Sequence, residues 1–172
     1  KKDFDWTLQQ VKVLKQSPSL LIANDAIEMF LLIQDNSAED SLRVALQSYA
    51  SADLKLYQNK KEEALQLFLA ILQKHKGESI EEGTLFKIGK IYEEKGDFNK
   101  ALTYYQNILD NHKDGIYKDE ALFFSAEIYR KHLLDNEKAK ALYEKVVLEH
   151  PDSLYYTESR KQYRTLRGDS TI

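Results

Sequence analysis

The chain has 172 residues, 42% of them hydrophobic and 31% charged, with a formal net charge of -3; this is too apolar for a disordered segment and offers no net positive field to draw nucleic acid or an anionic membrane. It contains no cysteine, which excludes a disulfide framework, a thiolate nucleophile and a cysteine-based zinc site. Six glycines and two prolines suit long helices joined by short turns and speak against a many-stranded sheet.

In chain order, Lys1-Lys2-Asp3 is neither a start methionine nor a signal peptide, so the sequence reads as a segment of something longer. Trp6–Gln16 is predicted to be a helix. The apolar stretch Leu20–Ile33 is interrupted by Asn24, Asp25 and Glu28; it is too short and too polar to span a bilayer and reads as core. Within it a helix is expected over Asn24–Gln34, with Asn24 or Asp25 as N-cap. A further helix follows over roughly Ala38–Asn59, and Lys60-Lys61-Glu62-Glu63 reads as a polar turn and helix start leading into Ala64, Phe68 and Ile71. From Ile80 onward Leu85, Ile88, Ile91 and Tyr92 recur at helical spacing, Gly96-Asp97 makes a turn, and Ala101, Leu102, Tyr105, Ile108 and Leu109 form a second apolar stripe. The next stretch repeats this hairpin with Leu122, Ala126 and Tyr129, a turn at Asp135-Asn136, then Ala139, Leu142, Tyr143, Val146 and Val147. Pro151 disfavours continuation of that helix. Ser153–Leu166 reads as a capping helix ended by Gly168, with a frayed tail over 169–172.

One pattern recurs every 37 or 38 residues: Ala64-Leu65-x-x-Phe68, Ala101-Leu102-x-x-Tyr105 and Ala139-Lys140-x-x-Tyr143, each followed by an apolar pair and then by His75, His112 or His150. Self-similarity at this period marks a stacked repeat array, which usually presents a surface rather than carrying out a reaction. Leu85, Ile88, Gly89, Tyr92, Ala101 and Tyr105, and after them Leu122, Ala126, Tyr129, Ala139, Tyr143 and Pro151, resemble the tetratricopeptide repeat family. The second unit carries one inserted turn residue and Ser125 at a Leu position; Lys113 stands where Pro is usual, and Lys55 where the preceding unit should carry Tyr.

The resemblance implies an all-α fold, a right-handed α-solenoid of about nine antiparallel helices. Its expected layout is a partial repeat and linking helix over 1–36, three hairpins plus a capping helix over 37–168, and the tail. Sliding the best unit back by 94 residues places Asp3-Phe4-Asp5 on Asp97-Phe98-Asn99, so the chain is expected to begin inside a repeat. The last forty or so residues, through Pro151-Asp152-Ser153, also resemble repeats of bacterial cell-envelope assembly proteins, such as the outer-membrane assembly lipoprotein and the Tol-Pal accessory factor. That second resemblance points to the periplasm.

His75, His112 and His150 invite a metal reading, but they sit one repeat apart. Stacked helices lie about 8–10 Å apart, whereas two ligands of one zinc ion sit about 4 Å from each other given bonds near 2 Å. A histidine at a helix C-terminus instead complements the macrodipole. The adjacent pairs Glu62-Glu63, Glu81-Glu82 and Glu93-Glu94 diverge by about 100° on a helix and do not converge on a substrate. No metalloprotease, phosphate-loop, nucleophile-elbow or calcium-loop motif is present. No catalytic residue, cofactor or metal is therefore expected.

By position, the resemblance places a concave partner groove on Phe86, Lys90, Glu93 and Glu94 of one unit and Phe123, Glu127, Arg130 and Lys131 of the next, extended by Tyr49, Asp53 and Tyr57. Aromatic anchors flanked by charges of both signs suit a protein or peptide partner. Glu93, Glu94 and Glu127 would repel a clamped C-terminal carboxylate. The expected function is a non-enzymatic interaction scaffold, the C-terminal segment of a larger protein, that binds a peptide or helix. The alternatives are a self-assembly module packing on upstream repeats or on a second copy, and a regulatory domain of an upstream enzyme or membrane protein.

Overall fold

The computed structural model describes residues 3–37, 40–112 and 114–169, and for residues 40–42 the backbone alone. Lys113 and, apart from Asp169, the predicted tail lie outside the described residues, as do Lys1, Lys2 and the predicted helix start at Ala38. Among the described residues the regular elements are all helices: α1 (Phe4–Leu14), α2 (Leu20–Asp35), α3 (Asp40–Tyr57), α4 (Lys61–Lys74), α5 (Ile80–Glu94), α6 (Phe98–Asn111), α7 (Lys118–Lys131), α8 (Asn136–Glu149) and α9 (Tyr156–Arg167). The fold class is the all-α hairpin architecture expected from the repeat. The chain forms two compact units that divide after Ile91, within α5.

In the first unit α1 packs on α2 and α3 on α4. Ala45, Ala52 and Ala64 are fully buried beside Leu46, Leu65 and Phe68, so small side chains let the helices approach while large ones fill the space between. Asn36 ties the end of α2 to the start of α5: its amide donates to the Leu32 carbonyl at 2.8 Å, and its side-chain oxygen accepts from the Ser79 hydroxyl at 2.9 Å.

Two expectations for this region change. The stretch Leu20–Ile33 does not form core along its length, because only Ala26 and Ile33 of α2 are buried and Leu20, Leu21, Ile22, Ile27 and Met29 are exposed. Helix α2 also starts four residues before Asn24, with Ser19 at the N-cap position. The preceding Pro18 resists helical continuation from upstream, and the leucines at 20 and 21 are good helix formers from the first turn onward.

In the second unit α6 packs on α7, α7 on α8 and α8 on α9. Its core joins Leu122, Phe123, Ala126, Ala139, Tyr143 and Val146, against which Tyr155, Tyr163 and Leu166 pack from the α9 end. Through that contact α9 packs on α8 and covers this side of the core. Gly168 closes it in the left-handed conformation at φ 87°.

The turns repeat as faithfully as the helices. Asp97 and Asp135 cap α6 and α8 by accepting the amides of Lys100 (3.3 Å) and Lys138 (3.1 Å), and Asp3 caps α1 through the amide of Trp6 (3.1 Å). Asp3 and Asp97, paired by the shift of 94 residues, thus do the same work. At the other ends, the amides of His75, His112 and His150 donate to the carbonyls of Ile71, Ile108 and Val146, and the three histidine carbonyls in turn accept the amides of Glu78, Gly115 and Ser153. The histidines punctuate the repeat as helix C-caps.

Candidate functional site

Helix α7 organises the site. Its spacing sends Leu122 and Ala126 into the core and carries Phe123, Glu127, Arg130 and Lys131 onto one face. A cavity of about 460 Å³ opens over that face, lined also by Phe124, Ile128 and His132, by Glu93 from α5 and by Glu158 from α9. Five of the eleven predicted groove residues (Glu93, Phe123, Glu127, Arg130 and Lys131) therefore meet at one cavity.

Polar contacts fix its walls. The Tyr143 hydroxyl donates to Glu127 and accepts from Arg130 Nε at 3.1 Å; Arg130 Nη2 donates to Glu127 Oε1 at 3.0 Å, and Lys131 pairs with the same carboxylate. Burial alone would raise the Glu127 pKa, but the hydrogen bonds from Lys131, Tyr143 and Arg130 outweigh it and hold the carboxyl below its ordinary range. Burial, with the Glu127 carboxylate beside it, pushes the Tyr143 phenol well above the usual range. One repeat earlier, Tyr105 donates to Glu93 at 2.8 Å, and its phenol is raised for the same two reasons. A carboxylate saturated by donors is a poor general base near neutrality; this arrangement holds charge in place rather than moving protons.

Phe123 contributes differently from the expectation. Its ring is buried, stacks on Tyr155 at 4.4 Å between centroids and meets Phe124 and Tyr143 edge-on, so it forms the cavity floor and the core together. Its cover comes from Tyr155, 32 residues away, which spacing within the repeat does not reveal. His132 and Glu158 were missed by the sequence reading. His132 caps α7 and stacks on Phe98 at 3.9 Å, while Glu158 belongs to the capping helix, where the repeat pattern gives no register.

Five more of the predicted residues belong to the first unit, and Glu94 of the second unit does not line the cavity. Tyr49 is 4% exposed and packs edge-on against Phe68 at 5.3 Å, so its ring serves the α3–α4 core. Asp53 pairs with Lys87 at 3.0 Å. Phe86 and Lys90 are half-buried on α5, and Tyr57, at the end of α3, is exposed. Among the described residues no group of three or more potential metal ligands occurs, and no helix is long and apolar enough to cross a membrane.

Comparison with known proteins agrees with this architecture. Residues 84–115 and 120–153 match the family model for the tetratricopeptide repeat. No curated protein matches the sequence. Among solved structures, a tetratricopeptide repeat protein from Parabacteroides merdae ATCC 43184 superposes with a TM-score of 0.59 at 17% identity, over 98% of this chain and 61% of that one. The chain thus spans less than two thirds of that protein, and at this identity the likeness is one of fold. In sequence over residues 84–115 and 120–153, and in fold over nearly its whole length, the protein is similar to tetratricopeptide-repeat proteins.

Proposed function

We propose that this chain is a non-enzymatic protein–protein interaction module that receives a peptide or helix of a partner on the α7 face of its second unit. Repeats of this kind generally mediate protein–protein interactions. The observation that carries the proposal is the cavity of about 460 Å³, where a floor of Phe123, Phe124 and Ile128 is ringed by Glu93, Glu127, Arg130, Lys131 and Glu158. Phe124, the half-buried ring of the floor, has surface left to bury against a partner, and fixed charges of both signs set orientation. The network around Tyr143 pre-positions Glu127 and Arg130, so little ordering is required on binding.

Affinity capture from extract of the cells that make the protein tests this reading. Phe123 is unsuitable for substitution because it is core; Lys131→Glu with Glu158→Lys reverses two rim charges and leaves the packing alone. The expected result is a partner retained by the wild-type chain and reduced at least tenfold by the double variant, with unchanged circular dichroism. A partner retained equally by both would place binding elsewhere.

A second reading, self-assembly through the first unit, is favoured by the exposed apolar side chains Trp6, Val13 and Leu14 of α1 and Leu20, Leu21 and Ile27 of α2. Sedimentation across a concentration series tests it. Mass that rises with concentration and falls back with Leu20→Lys and Ile27→Lys supports assembly, and a constant monomer mass excludes it.

A further inference from the structure

A second cavity, of about 690 Å³, lies on the other side of α7, between α6 and α8. Ser125 and Tyr129 line it from α7, and Ser125 is about 200° around the helix from Glu127. This cavity is therefore separate from the groove proposed above.

Its floor departs from the repeat. Ser125 stands where Ile88, 37 residues earlier, is fully buried, and where the repeat pattern carries Leu. A small polar side chain in an aliphatic slot leaves the space unfilled, with Leu102 and Leu142 on either side. Ser125 is 4% exposed as a residue and lines the cavity.

The wall from α6 is unusual as well. Thr103, Gln106, Asn107, Asp110 and Asn111 line the cavity, four of the five uncharged. At the positions 38 residues later stand Ala141, Glu144, Lys145, Leu148 and Glu149, the mixed and charged composition of an ordinary solvated face. Part of the amide capacity is spent within the wall: Asn111 Nδ2 donates to Asn107 Oδ1 at 3.1 Å, and Gln106 Nε2 to Asp110 Oδ1 at 2.7 Å. That leaves the Asn107 amide as donor and the Asn111 and Gln106 side-chain oxygens as acceptors. On the far wall Lys138 is held by Asp135 at 2.9 Å and over the Tyr129 ring at 5.1 Å, so its charge is already engaged.

Thr103, Asn107 and Asn111 follow one another at i, i+4 and i+8, about 6 Å apart along the axis. An extended polypeptide repeats every two residues, at about 6.6–6.8 Å. An amide stripe with that spacing meets alternate peptide units of an extended chain, donating to a carbonyl at one step and accepting an N–H at the next. The side chain between them then points into the slot over Ser125.

We propose that the α6–α8 cavity binds an extended, uncharged segment of a partner protein, read through its main chain by Asn107 and Asn111, with one branched aliphatic side chain seated over Ser125. The test selects capped nine-residue peptides from a random library on the full chain and follows the Asn and Gln side-chain amide signals by NMR. Neutral oligosaccharides are titrated in parallel. The expected result is a set of uncharged sequences with a central Leu, Ile or Met that shift the Asn107 and Asn111 signals. Ser125→Leu, which restores the residue usual in the repeat and keeps the fold, weakens them at least tenfold. Asn107→Asp, an isosteric change on an exposed face, weakens them at least fivefold. Selected peptides that are charged or indifferent to both variants, a library that yields no binder, or a sugar rather than a peptide moving these signals overturns the proposal.

Discussion

Three residues turn the hairpins: Asn59, Gly96 and Leu134, each with positive φ (59°, 76° and 54°) and spaced 37 and 38 apart. At the first two, the chain closes a Schellman turn: Lys60 N–H bonds to the Lys55 carbonyl and Asp97 N–H to that of Tyr92. Glycine and asparagine tolerate this conformation, whereas an exposed leucine there is strained by roughly 1–2 kcal/mol. Leu134→Gly is therefore expected to stabilise the protein by roughly 0.5–1 kcal/mol after the added unfolded-state entropy is subtracted, a rise of about 2–4 °C in Tm by differential scanning calorimetry. Gly96→Ala should lower it by a similar amount. The turn at Gly96-Asp97 was legible because glycine and an N-cap acid announce it. Lys55 was opaque for a physical reason. Tyr92, Asp97 and Lys100 form one cluster, with Lys100 over the Tyr92 ring at 5.0 Å and paired with Asp97 at 2.8 Å. At the positions 37 residues earlier, Lys55, Lys60 and Glu63 form an ion cluster, with Lys55 and Glu63 at 2.6 Å. Charges are exchanged and the aromatic is replaced, so the joint survives while the pattern that identifies it does not.

At the scale of the helix, α7 serves three surfaces at once: the core through Leu122 and Ala126, the first cavity through Glu127 and Arg130, and the second cavity through Ser125 and Tyr129. Ala126 is fully buried, so Ala126→Leu forces extra volume into a packed core at a cost of about 1–3 kcal/mol, visible as a reduced midpoint in urea. Tyr143→Phe removes the hydroxyl that joins Glu127 to Arg130 and should cost about 1 kcal/mol. The Glu127 network also carries a pH signature. A carboxyl whose folded pKa is depressed stabilises the fold fully above its unfolded value of about 4.3 and loses that contribution as pH falls through the folded value. The Tm difference between wild type and Glu127→Gln should be largest near pH 7 and shrink below pH 4. The resemblance put Phe123, Glu127, Arg130 and Lys131 together on α7, and the cavity opens over those residues. It did not disclose that Phe123 is covered, because Tyr155 arrives from beyond the repeat.

Over the whole molecule, composition and period were enough for fold class, since the apolar stripes, scarce glycines and turn residues agree with one another. They were not enough for the first helices. Leu20, Leu21 and Ile27 look like core residues on composition, yet α2 leaves them exposed. Trp6, the chain's single tryptophan, is 63% exposed on α1, so its emission should be that of a solvated indole, open to iodide quenching at low protein concentration. A blue-shifted, unquenched spectrum would show that surface already covered.

The central claim is that a protein partner enters the cavity over α7, and site-specific photo-cross-linking tests it most directly. A photoreactive phenylalanine analogue at position 158, on the cavity rim, is compared with the same analogue at exposed position 66 on α4, which lines neither cavity. The account predicts a cross-linked protein adduct at 158 that Lys131→Glu removes, and none at 66. Equal adducts at both positions, or an adduct only at 66, would contradict it.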